Sequence, residues 1–138
     1  MDKENVVSIK GICLKGNSVL LKQDSGGNLE WALPGGKIEL GETPLSTLKR
    51  ELEEELGKAP RILDERPIGA HSFKFQGDEG AEQITCIYYL VDFDNYDFEP
   101  QEEQLQTKFF PFSEIADLHM NPGHKEGLLN IIQSLEKK

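Results

Sequence analysis

Basic residues are the first shortage in this 138-residue chain: 15 Lys and Arg stand against 25 Asp and Glu, for a formal net charge of −10. A nucleic-acid groove needs a basic face, so no nucleic-acid partner is expected. Long apolar runs are missing too. None approaches the roughly 18 residues needed to span a bilayer, so no membrane association is expected. The opening Met1-Asp2-Lys3-Glu4-Asn5 lacks the basic-then-apolar start of a secretory signal, and a cytoplasmic location is expected. Cysteine is limited to Cys13 and Cys86, each inside an apolar strand-like run. They read as buried reduced thiols, and without a Cys-x-x-Cys pair a zinc site of that type is excluded. Internal repeats, long linkers and low-complexity tracts are also lacking. What remains is one domain over residues 1–138, long enough to bury a core.

The β-rich runs Val6–Leu14 and Val19–Gln23 flank Lys15-Gly16-Asn17-Ser18, which predicts a hairpin. A short strand is expected at Glu30–Leu33, ended by Pro34-Gly35-Gly36. Ile62–Leu63 and Ile68–Phe75 follow as strands, then a polar loop at Gln76–Glu82. Ile84–Phe93 is apolar on both faces and reads as a central strand. An acidic loop, Asp94–Thr107, precedes a short aromatic strand at Phe109–Phe112. Beyond Pro122-Gly123, the residues Leu128, Ile131, Ile132 and Leu135 share one face of a terminal helix. The sum is α/β, a sheet flanked by helices.

The stretch Leu33–Lys58 carries the chemistry. Thr43-Pro44 is a helix start and Gly57 a left-handed stop. At about 100° per residue, Leu45, Leu48, Leu52 and Leu56 fall within an arc of roughly 80° and should pack on the sheet. Glu51, Glu54 and Glu55 form a band beside that stripe, whereas Glu53 points to solvent. Three carboxylates so spaced repel one another on a bare helix. Because the band borders the buried face, it should line a cleft, where oxygen-only ligands suit Mg²⁺, with Mn²⁺ as the alternative. A bound cation would also reconcile an acidic protein with an anionic substrate.

These residues resemble the Nudix box, Gx5Ex7REUxEExGU, in which U is a bulky aliphatic. Gly36, Glu42, Arg50, Glu51, Glu54, Glu55 and Gly57 match its seven fixed positions, Leu52 its first aliphatic, and Lys58 replaces the last. The resemblance implies a Nudix-like α/β/α sandwich, with a mixed β-sheet between helices. It further implies a metal-dependent pyrophosphohydrolase that cleaves a nucleoside diphosphate linked to another moiety X. Its metal ligands would be Glu51, Glu54, Glu55 and the Gly36 carbonyl, with Arg50 bracing the carboxylates and Glu42 holding the loop against the helix. The base that deprotonates water would be Glu54 within the box, or a glutamate of the later acidic loop, where Glu103 is the choice, as metal ligand or base. Lys22 and Lys37 are candidate phosphate contacts, set against ordinary surface lysines. Phe73 or Trp31 could stack on a base, set against core packing, and His71 is placed near the pocket rim. The partner is a small nucleotide diphosphate derivative, with nucleoside triphosphate and ADP-ribose as rivals; homodimerisation is left open. The competing reading is a Nudix-like sensor that binds a nucleotide without cutting it.

Overall fold

The two β-rich runs at the start of the chain form the expected hairpin in the computed structural model, which describes residues 5–23, 29–78, 80–100 and 106–137. Strand β1 (Asn5–Lys15) turns back into β2 (Ser18–Gln23), with Leu14 opposite Val19 and Lys15 opposite Ser18. Gly16 has φ +60 at the first of the two turn positions, as a type II′ turn requires. Away from the turn the two strands part, and the chain from Trp31 to Lys37 fills the gap. Strand β3 (Trp31–Ala32) pairs with Lys22 and Gln23 of β2. Strand β4 (Gly35–Lys37) pairs with Ser8, Ile9 and Lys10 of β1. The Pro34 carbonyl accepts from the Gly11 N–H at 2.9 Å and ties down the crossing. The two glycines therefore continue the sheet, where the sequence pattern pointed to a turn that ends it.

The predicted central strand is β7 (Gly80–Asp92), which lies between β1 and two antiparallel neighbours. It runs parallel to β1, from Gln83 opposite Asn5 to Val91 opposite Cys13. Its other edge carries β5 (Arg61–Ile62) and β6 (Gly69–Gly77). The polar loop expected at Gln76–Glu82 is largely ladder, for Gln76 faces Ala81 and Gly77 faces Gly80. Polar side chains alternating out of a half-covered hairpin give the hydropathy of a loop. Strand β8 (Gln106–Pro111) pairs with β2, and a 3-10 turn over Phe112–Asp117 leads to helix α2 (Pro122–Glu136).

Alternation along β7 divides the core in two. Tyr89 and Val91 face helix α1 (Pro44–Leu56), whose Leu48, Leu52 and Leu56 are fully buried. Cys86 and Tyr88 face α2 with its Leu128, Ile131 and Ile132. Burying each of these leucines contributes about 2 kcal/mol. The fold is the expected α/β/α sandwich around a mixed sheet. Cys13 and Cys86 are both buried and unbridged. Among the described residues no helix is long and apolar enough to cross a membrane.

Candidate active site

The site is built on α1. The Thr43 hydroxyl accepts from the Ser46 N–H at 3.2 Å and the Ser46 hydroxyl accepts from the Thr43 N–H at 3.0 Å, a reciprocal cap. Gly57, at φ +69, closes the other end and donates to the Glu53 carbonyl. With both ends set, the leucine stripe fixes the rotation of the helix. Glu55 is turned inward and buried, Glu51 lies at the edge, and Glu53 and Glu54 are open to solvent.

Arg50 ties the glycine loop to this helix. Its Nε and Nη2 donate to the two oxygens of Glu42 at 2.7 and 2.9 Å, a bidentate fork. Its Nη1 donates to Glu51 Oε1 at 2.9 Å and lies 3.7 Å from Glu54 Oε2. The Lys37 carbonyl accepts from Nη2 at 3.3 Å. Glu42 also accepts from the Thr47 hydroxyl and the Glu39 N–H. The guanidinium fork, helped by these donors, pulls the Glu42 carboxyl from 4.5 down to about 2. The same bonds hold Arg50 above its ordinary range.

A depressed carboxylate stabilises the fold above its unfolded pKa and loses that contribution as it protonates. Glu42→Gln should therefore melt below the parent at neutral pH. The gap should close as pH falls from about 4.5 towards about 2 in paired thermal melts, and a gap independent of pH would contradict the fork.

Glu55 stands apart from this network. Its Oε1 accepts from the Gly35 N–H at 2.8 Å, and its Oε2 lies 3.0 Å from the Lys22 ammonium. Burial pushes the Glu55 carboxyl up, while Lys22, the Gly35 N–H and Lys10 act against that. Close approach explains the glycine pair: a Cβ at Gly35 would strike the Ile9 carbonyl, and one at Gly36 would strike the Glu51 carboxyl. Beside Lys22, where β1 and β2 part, lies a recess of about 180 Å³. Lys10, Lys22, Trp31, Phe75, Asn121 and His124 line it, with Glu30 and Ala32 completing the wall.

The structure thus brings Gly36, Arg50, Glu51 and Glu54 together, with Lys22 and Glu55 adjoining. Lys37 is exposed on β4 and joins the site through its carbonyl. Phe73 packs against Gly123 and edge-on to His124 at 4.9 Å, and Phe75 reaches the recess instead. His71 is likewise taken by α2, with its Nε2 3.4 Å from Glu126. Glu103 lies outside the described residues. The segment containing it follows Glu99, whose N–H donates to the Leu56 carbonyl at 2.9 Å, and precedes Gln106, opposite Gln23. The sequence reading missed Lys10, Phe75, Asn121 and His124. Lys10 alone left a signal, as a single charge inside the apolar run Val6–Leu14 that proves to be buried.

The candidate ligands, Glu51 against Gly36, Glu55 on Gly35 and Glu54 beside Arg50, are all oxygen donors, which fits a hard divalent cation. As placed, no three His, Cys, Asp or Glu among the described residues are grouped tightly enough to enclose one. The bonding explains this: Glu51 leans on Arg50, and both oxygens of Glu55 are engaged elsewhere.

The NUDIX domain family model matches residues 4–131, nearly the whole of this sandwich. The chain belongs to the Nudix family, whose hydrolases generally need divalent metal ions. It is 46% identical over 97 residues to an 8-oxo-dGTP diphosphatase of Proteus vulgaris, a match covering 66% of this chain and 80% of that one. It is 26% identical over 114 residues to an ADP-ribose pyrophosphatase of Methanocaldococcus jannaschii, covering 81% and 65% respectively. The crystal structure of a MutT protein from Methanosarcina mazei Go1 shares the fold, with a TM-score of 0.80 at 18% identity over 100% of this chain and 99% of that one. The chain spans less than two thirds of the length of several curated relatives it matches, down to 27% in one case.

Proposed function

We propose that the chain is a metal-dependent pyrophosphohydrolase acting on a nucleoside diphosphate linked to another moiety X. The observation that carries this reading is the seating of Glu51 against Gly36 and of inward-facing Glu55 on the Gly35 N–H, with Glu54 beside Arg50 and a recess containing two lysines next to Glu55. Glu51, Glu54, Glu55 and the Gly36 carbonyl would hold the cation, Mg²⁺ or Mn²⁺. When bound, it would neutralise charge on the phosphate oxygens.

The chain's own groups do the rest. Arg50 fixes the carboxylates against the glycine loop. Lys22 and Lys10 offer positive charge to the phosphates, and Trp31 and Phe75 offer aromatic surface to a base. Glu54 or Glu103 takes the proton from the attacking water. Water then adds to one phosphorus while the bridging P–O bond breaks, leaving a nucleoside monophosphate and X carrying the other phosphate, which is pyrophosphate when the substrate is a nucleoside triphosphate. The acidic balance supports a small-molecule substrate over a nucleic acid.

Relatives bear names for both rival substrates, 8-oxo-dGTP and ADP-ribose. A panel of nucleoside triphosphates and nucleotide sugars, run with and without Mg²⁺ and with products identified by mass, decides between them. Cleavage to a nucleoside monophosphate only with the cation present is the expected outcome. No turnover of any diphosphate compound would sink the enzyme reading.

A further inference from the structure

Glu55 is the inward-facing member of the carboxylate band, and each of its oxygens already has a partner. Oε1 accepts from the Gly35 N–H at 2.8 Å, and Oε2 meets the Lys22 ammonium at 3.0 Å. The pair is shielded, with both side chains 11% exposed. Its partners come from different elements, Lys22 from β2 and Glu55 from α1, across the opening where β1 and β2 part. The backbone of Lys22 is fixed on both edges, opposite Ala32 and Thr107. Its side chain is a flexible four-carbon stem carrying a compact charge. That side chain also lines the recess, so it borders two anionic positions, the Glu55 carboxylate and the place where phosphate is proposed to sit.

The geometry points to Lys22 as a resident stand-in cation. It neutralises Glu55 while no metal is bound, and it yields that carboxylate to an arriving divalent cation. Its ammonium is then released towards the recess, where substrate phosphate supplies the next counter-charge. The Gly35 N–H keeps Oε1 throughout, so Glu55 stays oriented while Oε2 changes partner. Lys22 is on this view a positioning residue that couples metal binding to anion binding. The inference rests on the metal-dependent reading above and deepens it.

Mn²⁺ alone, titrated without nucleotide and followed by electron paramagnetic resonance or calorimetry, tests the exchange. Lys22→Met should bind Mn²⁺ at least about tenfold more tightly than the wild type, and Lys22→Arg should stay near it. In a Glu55→Gln background the gain from Lys22→Met should vanish. A gain that persists there would be a general charge effect and overturns the exchange. Equal or weaker binding by Lys22→Met also overturns it.

A second arm uses thermal melts without metal. Each single variant breaks the Lys22–Glu55 pair, so Lys22→Met with Glu55→Gln should lose less stability than the two singles summed. Additive losses would overturn the pair. Absence of any Mn²⁺ binding by the wild type would overturn both the exchange and the proposed function. Wild-type binding that Lys22→Met leaves unchanged overturns the exchange alone.

Discussion

Glu54→Gln is expected to lower kcat at least about 100-fold while leaving thermal stability unchanged or slightly raised. The stability half follows from position. Glu54 is 57% exposed, and the Arg50 guanidinium lies 3.7 Å away, outside hydrogen-bond distance. Removing one of three neighbouring negative charges on a helix relieves repulsion and leaves the core untouched. The activity half follows from chemistry, because glutamine keeps the shape and loses the basic oxygen. Two roles are open to Glu54, metal ligand and base, and metal concentration separates them. If Glu54 only ligates, saturating Mg²⁺ should restore most of kcat; if it takes the proton, the deficit should persist at every metal concentration. Glu103→Gln belongs in the same experiment, and whichever variant retains the deficit at saturation identifies the base. Equal mild losses in both would count against both.

The second large effect is structural. Gly35→Ala should cost at least about 3 kcal/mol, read as a fall of roughly 10 °C in Tm. Gly35 adopts φ +141, a conformation that L side chains rarely take, and an added methyl would collide with the Ile9 carbonyl of the adjacent strand. That contact cannot relax by a rotamer change, because the obstruction is backbone. The same residue donates to Glu55, so any shift of β4 also disturbs the buried carboxylate. Melting of Gly35→Ala within a degree or two of the parent would mean that β1 and β4 can slide apart more readily than their pairing indicates.

The parts of this protein most legible from sequence were local. Leu48, Leu52 and Leu56 announce their shared face through spacing alone, and Thr43, Pro44 and Gly57 mark the ends of the helix. From these the rotation of the helix follows, but the expected carboxylate band divides: Glu55 is buried, Glu51 lies at the edge, and Glu54 is open to solvent beside Glu53. The less legible parts depend on which distant segment lies alongside. Gly35 and Gly36 carry turn chemistry, yet β1 recruits them as a strand because only residues without side chains fit between Ile9 and Glu51. Phe73 and Phe75 are indistinguishable by pattern. Gly123 of α2 takes the first ring and leaves the second for the recess. Lys22 was readable as a phosphate contact, but its present partner is set by a helix more than thirty residues away.

The parallel pairing of β1 with β7 bears on how the chain reaches this state. Asn5 lies opposite Gln83 and Cys13 opposite Val91, so the first strand waits for a partner nearly eighty residues later in the chain. Helix α1 and the pairing of β4 with β1 take up part of that interval, yet closing the rest still costs entropy before the contacts that reward it. Helix α1 and the β1–β2 hairpin can form early, but the apolar face they share remains uncovered until β7 arrives. Folding rates governed by non-local strand pairing fall in the millisecond-to-second range. During synthesis, helix α1 is therefore complete well before the sheet that gives it a floor.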